Sequence, residues 1–144
     1  MFDHILYPTD FSDVSMKAMS YVKQLKDAGA KKVTVLHVID DRTLVVPDVF
    51  SGIDFMAVEN ELRRIADEEC NKIVEQLRES GLEAWFKIEK GVPFREIIRV
   101  AKEDDVSLIV IGSHGKSNIE EMLLGSVSEK VIRKAVRPVL VVKR

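Results

Sequence analysis

The chain predicts a single α/β domain over residues 1–144, a parallel sheet of five strands with helices on both faces. Three observations carry this. Five short apolar runs recur along the chain, most of them rich in β-branched residues, and runs of this kind belong to a sheet covered on both sides. Stretches with helical spacing separate them, so the order reads β-α-β-α-β-α-β-α-β, which closes by right-handed crossovers. The composition, 46% hydrophobic and 32% charged with a formal net charge of −2, is that of a chain with a core.

The first strand is Ile5-Leu6-Tyr7, ending at Pro8. Val14, Ala18, Val22 and Leu25 then recur at helical spacing, and Gly29 stops that run. Val33 to Ile39 is the second strand and halts at Asp40-Asp41. Val58, Leu62, Ile65, Ala66, Ile73 and Leu77 mark a long amphipathic helix ended by Gly81. Ala84 to Ile88 alternates and closes at Gly91. Ile97, Ile98 and Ala101 mark a shorter helix after Pro93. Leu108 to Ile111 is fully apolar and ends at Gly112. Val127, Val131 and Ala135 mark the last helix, with cations near its end, and Val139 to Val142 is the fifth strand. The Asp40–Phe55 connection is too long for a plain βα loop and is rich in apolar residues, which calls for cover by the body, a ligand or a second subunit.

Several classes fall away. No apolar run reaches the roughly 18 residues of a membrane span. The N-terminus does not read as a signal peptide. A lone cysteine, Cys70, cannot form an internal disulfide, so a reducing, cytoplasmic setting is expected. With a pI near 6.0, the chain has no global attraction for nucleic acid. The three histidines are scattered, which argues against zinc. Any anion must therefore be held by local geometry.

In open α/β sheets that geometry lies at the carboxyl ends of the strands. Gly112-Ser113-His114-Gly115-Lys116-Ser117-Asn118 follows the fourth strand. Its glycines permit positive φ and close approach of backbone N–H groups to an anion, and Lys116, Ser117 and Asn118 add donors. Ser117 with Glu120, and Ser126 with Glu129 after Gly125, fit two capping boxes, and helix starts attract phosphate. Two glycine turns feeding helix starts fit a polyphosphate; two well-capped βα loops fit the same residues. Gly112 to Ser117 is two residues short of a P-loop, and the first βα turn lacks the glycines of a dinucleotide site. No aspartate ends the third strand as a phosphoacceptor, and no G-x-S-x-G elbow is present. Asp10 reads equally as a helix cap or a ligand contact. His114 reads as a phosphate donor or an exposed turn residue, and His37 as a satisfied core histidine. The basic residues from Met122 onward read as a solvated helix end more readily than as a nucleic-acid patch.

Gly112, Gly115, Gly125 and Ser126 fit G-x2-G-x9-G-[ST]. With Ile5 to Ser12, Leu36 to Asp40 and Arg137 to Val142, the chain resembles the ATP-binding, single-domain members of the universal stress protein family over its whole length. The resemblance implies an open sheet of strand order 3-2-1-4-5, a Rossmann-like, adenine-nucleotide alpha hydrolase-like fold, with ATP at the switch point between strands one and four. It implies Pro8, Thr9 and Asp10 beside the adenosine, Asp10 towards the ribose, and the Val38 backbone at adenine. Gly112, Ser113, His114, Gly115, Lys116, Ser117 and Asn118 would wrap the phosphates, completed by Gly125, Ser126, Val127 and Ser128. Mg²⁺ or Mn²⁺ would be held mainly by the phosphates. It also implies a homodimer through the edge strand Val139 to Val142, which would cover an otherwise bare apolar edge. The function expected is a nucleotide-dependent regulatory module, read by a protein partner, with slow or partner-dependent hydrolysis. A true ATPase or phosphotransferase, and an AMP-binding or nucleotide-free adaptor dimer, are the alternatives.

Overall fold

A computed structural model describes residues 1–43, 55–115 and 124–144. Strands β1 (His4–Pro8), β2 (Lys32–Asp40), β3 (Glu83–Gly91), β4 (Leu108–Gly112) and β5 (Val139–Val142) form one sheet. All pairings are parallel, in the order β3-β2-β1-β4-β5. The helices are α1 (Asp13–Gln24), α2 (Phe55–Glu79), α3 (Pro93–Glu103) and α4 (Ser126–Lys134), with 3-10 turns at Leu25–Ala28 and Asp41–Thr43. The expected strand order is therefore the observed one. The Asp40–Phe55 connection lies, from residue 44 to 54, outside the described residues, as do Lys116, Ser117, Asn118 and the Ser117–Glu120 capping box.

Strand alternation sorts the core into two layers. Ile5, Tyr7, Val33, Val35 and Val110 face α1 and α2, packing on Ala18, Val22, Cys70, Ile73 and Leu77. Leu6, Leu36, Ile109 and Ile111 face α3 and α4, packing on Ile97, Val100 and Val131. Leu25 leaves the α-helix for the 3-10 turn, which Gly29 ends at φ 101°, a left-handed cap suited to glycine. Burial pushes the Cys70 thiol up to about 12, so it rests as an inert thiol. Among the described residues no helix is long and apolar enough to cross a membrane.

A polar chain crosses the amino end of the sheet. Lys87 Nζ donates to Asp104 Oδ1 at 2.6 Å, and Thr34 Oγ1 donates to Asp104 Oδ2 at 3.0 Å. With its only proton so used, Thr34 accepts from His4 Nε2 at 2.9 Å, which places the imidazole proton on Nε2. Burial, opposed by nearby Asp104, lowers the His4 pKa from 6.5. The neutral ring is favoured in the fold, so its stabilisation is complete above pH 6.5 and is lost as pH falls below it. His4→Gln is expected to lose less stability than wild type in urea unfolding between neutral pH and about one unit below 6.5. Equal pH slopes in the two proteins would contradict this.

Candidate functional site

The chain leaves β1 towards β2 on one side and later returns from β3 to β4 on the other. The carboxyl ends of β1 and β4 thus diverge, and a crevice opens between their following turns. A cavity of about 660 Å³ lies there. Its wall includes Pro8, Thr9, Asp10, Val38, Gly112, His114, Gly115, Gly125, Ser126, Val127 and Ser128. Ser15, Leu36, Asp40, Pro93, Ile97 and Ile111 also line it and are not among the expected site residues. Pro93 and Ile97 arrive because the crossover from β3 lays α3 against β2 and β4, which the alternation of elements alone does not disclose.

The turn after β1 is built from hydrogen bonds. Thr9 N–H donates to Leu36 O at 2.8 Å, continuing the β1–β2 ladder. Thr9 Oγ1 accepts from Phe11 N–H at 3.0 Å and from Ser15 Oγ at 2.6 Å. The Thr9 carbonyl accepts from His37 Nδ1 at 2.8 Å, and the His37 ring stacks on Phe11 at 4.4 Å and 18°. His37 is thus satisfied as expected, but half-buried at the strand end. Phe11 stands in the left-handed region, φ 66°, an unusual state for a bulky residue and one held here by these contacts. Tyr7, below, donates to Ser15 O; burial pushes its phenol up to about 12. Ser12, not Asp10, caps α1, accepting from Ser15 N–H at 3.3 Å, while Asp10 Oδ1 accepts from Ser12 N–H at 3.0 Å.

Of the two uses of glycine that the sequence implied, positive φ is not the one found here. None of Gly112, Gly115 and Gly125 has a positive φ. A Cβ would be crowded at each of them. At Gly112 it would lie 3.0 Å from Val14 Cγ1 and 3.2 Å from Ser15 N, at Gly115 2.9 Å from Asp10 Oδ2, and at Gly125 3.2 Å from Ser113 O. Gly125 N–H donates to Ser113 O at 2.7 Å, pinning the two glycine turns together. Ser128 Oγ reinforces this, donating to Gly112 O at 2.8 Å and Ser113 O at 3.0 Å.

The expected Ser126–Glu129 capping box is not formed. Gly125 is the N-cap, one residue earlier, and offers no side chain to the first turn of α4. Ser126 is already helical, and Glu129 pairs with Arg133 at 2.9 Å. Among the described residues the first amides of α4 therefore have no side-chain acceptor, beside the cavity, at the positive end of the helix. Ser113 lies behind the wall rather than in it, 1% exposed, its Oγ 2.7 Å from His114 Nδ1. His114 is itself 6% exposed rather than an open turn residue, and its Nε2 is buried with no hydrogen-bond partner among the described residues. Leaving such an atom unpaired is costly. Asp40, the other carboxylate of the wall, is paired with Arg42 at 2.7 Å, and the guanidinium holds its carboxyl below the ordinary range.

The chain and its sheet have counterparts. The model of the universal stress protein family matches residues 1–143. Universal stress protein MJ0577 of Methanocaldococcus jannaschii is 41% identical, over 100% of this chain and 96% of its own length. The solved structure of MJ0577 superposes with a TM-score of 0.91, covering 100% of this chain and 97% of the other. Universal stress protein YxiE of Bacillus subtilis is 36% identical over 99% of this chain and 100% of its own. A universal stress protein of Archaeoglobus fulgidus, solved in complex with dAMP, shares the fold at 24% identity and a TM-score of 0.65, covering 99% of this chain and 98% of that one. Agreement in sequence along the whole chain, joined to agreement in strand order and backbone, makes this chain a member of the universal stress protein family.

Proposed function

We propose that the protein is an ATP-binding regulatory module, a cytoplasmic homodimer whose nucleotide state is read by a partner protein. The observation that carries this is the start of α4, which has no side-chain cap among the described residues, set against the glycine-walled crevice in a chain whose formal net charge is −2. A cavity of about 660 Å³ suits a nucleotide-sized ligand. Solution of the Archaeoglobus protein with dAMP supports a purine nucleotide in this fold. In this reading Gly112, Gly115, Gly125, Ser126, Val127 and Ser128 cradle the phosphates, with His114 Nε2 as a donor to them. Ser113 supports His114 from behind, and Lys116, Ser117 and Asn118 complete the wrap. Pro8, Thr9 and Asp10 take the adenosine side and the Val38 backbone the base. Thr9 does so through its position, since its hydroxyl is engaged by Phe11 and Ser15.

The donor set suits Mg²⁺ or Mn²⁺ carried on the phosphates. Among the described residues no group of three His, Cys, Asp or Glu could hold a metal alone, while the Asp10 carboxylate borders the Gly115 turn. Hydrolysis in this reading is slow or partner-dependent. Of the wall's described carboxylates, Asp40 is paired with Arg42 and Asp10 accepts from Ser12 N–H, which restrains both as partners for an attacking water. The dimer forms through β5, an edge strand whose Val139, Leu140 and Val141 are only half-buried, beside the 89% exposed Val136.

Isothermal titration with ATP, ADP and AMP in the presence of Mg²⁺ tests the reading, and absence of ATP binding defeats it. Gly125→Ala is expected to weaken ATP at least about tenfold, because the Cβ meets backbone that Ser128 and Gly125 N–H hold in place. Light scattering at micromolar concentration is expected to give a dimer; a monomer removes that part of the proposal.

A further inference from the structure

Three cations converge on one aromatic ring on the outer side of α3 and α4. Lys130 Nζ lies 5.0 Å from the Phe94 centroid, Lys134 Nζ 5.1 Å and the Arg95 guanidinium carbon 5.6 Å. Neighbouring cations are matched to carboxylates: Arg99 to Glu89, Glu96 and Glu103, Arg133 to Glu129, and Arg137 to Asp105. Arg95, Lys130 and Lys134 have no such partner among the described residues. The start of α3 adds to the same sign. Val92 supplies no capping side chain there, and Pro93 follows with no N–H, so the Phe94 amide sits at the positive end of the helix. A ring face attracts a cation, but one ring cannot balance three cations and a helix dipole. Positive potential gathered without an internal counter-charge favours an anion from outside.

We propose that Arg95, Lys130 and Lys134, set around Phe94, form a docking surface for an acidic segment of a partner protein. The small size of the patch argues for protein carboxylates. Glu96 and Glu129, next in sequence to Arg95 and Lys130, are taken up by Arg99 and Arg133 and confine the patch to three cations, a number that matches one or two carboxylates better than a run of phosphates. Pro93, Ile97, Ser126 and Val127 of the same two helices wall the crevice, so the patch is carried by elements that also shape the cavity. The proposal stands whether or not ATP binds.

The test is a titration of the ¹⁵N-labelled full chain with a hexaglutamate peptide at low salt, followed by amide shifts. The expected result is saturable movement of Phe94, Arg95, Lys130 and Lys134. Binding should be weakened at least about tenfold by Lys130→Glu with Lys134→Glu. Lys130→Gln with Lys134→Gln serves if the reversal disturbs folding. Four results would overturn the proposal: no shifts, shifts that survive the substitutions, shifts confined to Gly112–Gly115 and Ser126–Ser128, or tighter binding of a single-stranded oligonucleotide at the same amides.

Discussion

Gly112→Ala is expected to destabilise the protein by about 2 kcal/mol, lowering Tm by roughly 6 °C. The new methyl would meet Val14 Cγ1 at 3.0 Å, Ser15 N at 3.2 Å and Val14 C at 3.3 Å. Two of these atoms are backbone of the first turn of α1, which Ser12 caps and which cannot retreat without breaking that cap. Nor can β4 yield, since it is hydrogen-bonded between β1 and β5 and Gly112 pairs with Val142. The substitution therefore acts as overpacking in the middle of the fold. Thermal unfolding checks it, and a Tm within about 1 °C of wild type would show that the helix start is looser than its contacts imply.

Thr9→Val is expected to cost about 2–3 kcal/mol. The shape is kept, but the oxygen that accepts from Phe11 N–H and Ser15 Oγ is removed. Ser15 Oγ, in a residue 4% exposed, and the N–H of the half-buried Phe11 both lose their acceptor. Phe11 then loses a contact that holds it at φ 66°. Thr9→Ser keeps the oxygen and should recover most of the loss. Urea unfolding of the two variants separates the hydroxyl from the methyl; a valine variant as stable as the serine variant contradicts the argument.

Much of the fold was legible because a parallel sheet leaves a strong mark. Leu108 to Ile111 has to be apolar on both faces, and Val14, Ala18 and Val22 have to share one helix face, so both patterns survive in one dimension. The glycine crevice was legible in part. A glycine answers two different needs, positive φ or the absence of a Cβ, and the sequence looks the same in either case. The approach of Val14, Asp10 and Ser113, with no positive φ at any of the three, puts the weight here on the missing Cβ. The start of α4 was misjudged by one residue because Gly125 and Ser126 are both able to cap; the bond from Gly125 N–H to Ser113 O decides between them. Pro93 and Ile97 left no signal, since their place in the wall follows from the path of a crossover helix and not from any local pattern.

The clamp of His37 and Phe11 around Thr9 has a thermodynamic consequence. The turn that borders the crevice is ordered by a neighbouring strand while the chain folds, so its conformational entropy is already surrendered before any ligand arrives. A ligand settling there meets a preorganised rim and need not freeze it, which leaves more of each contact to appear as affinity.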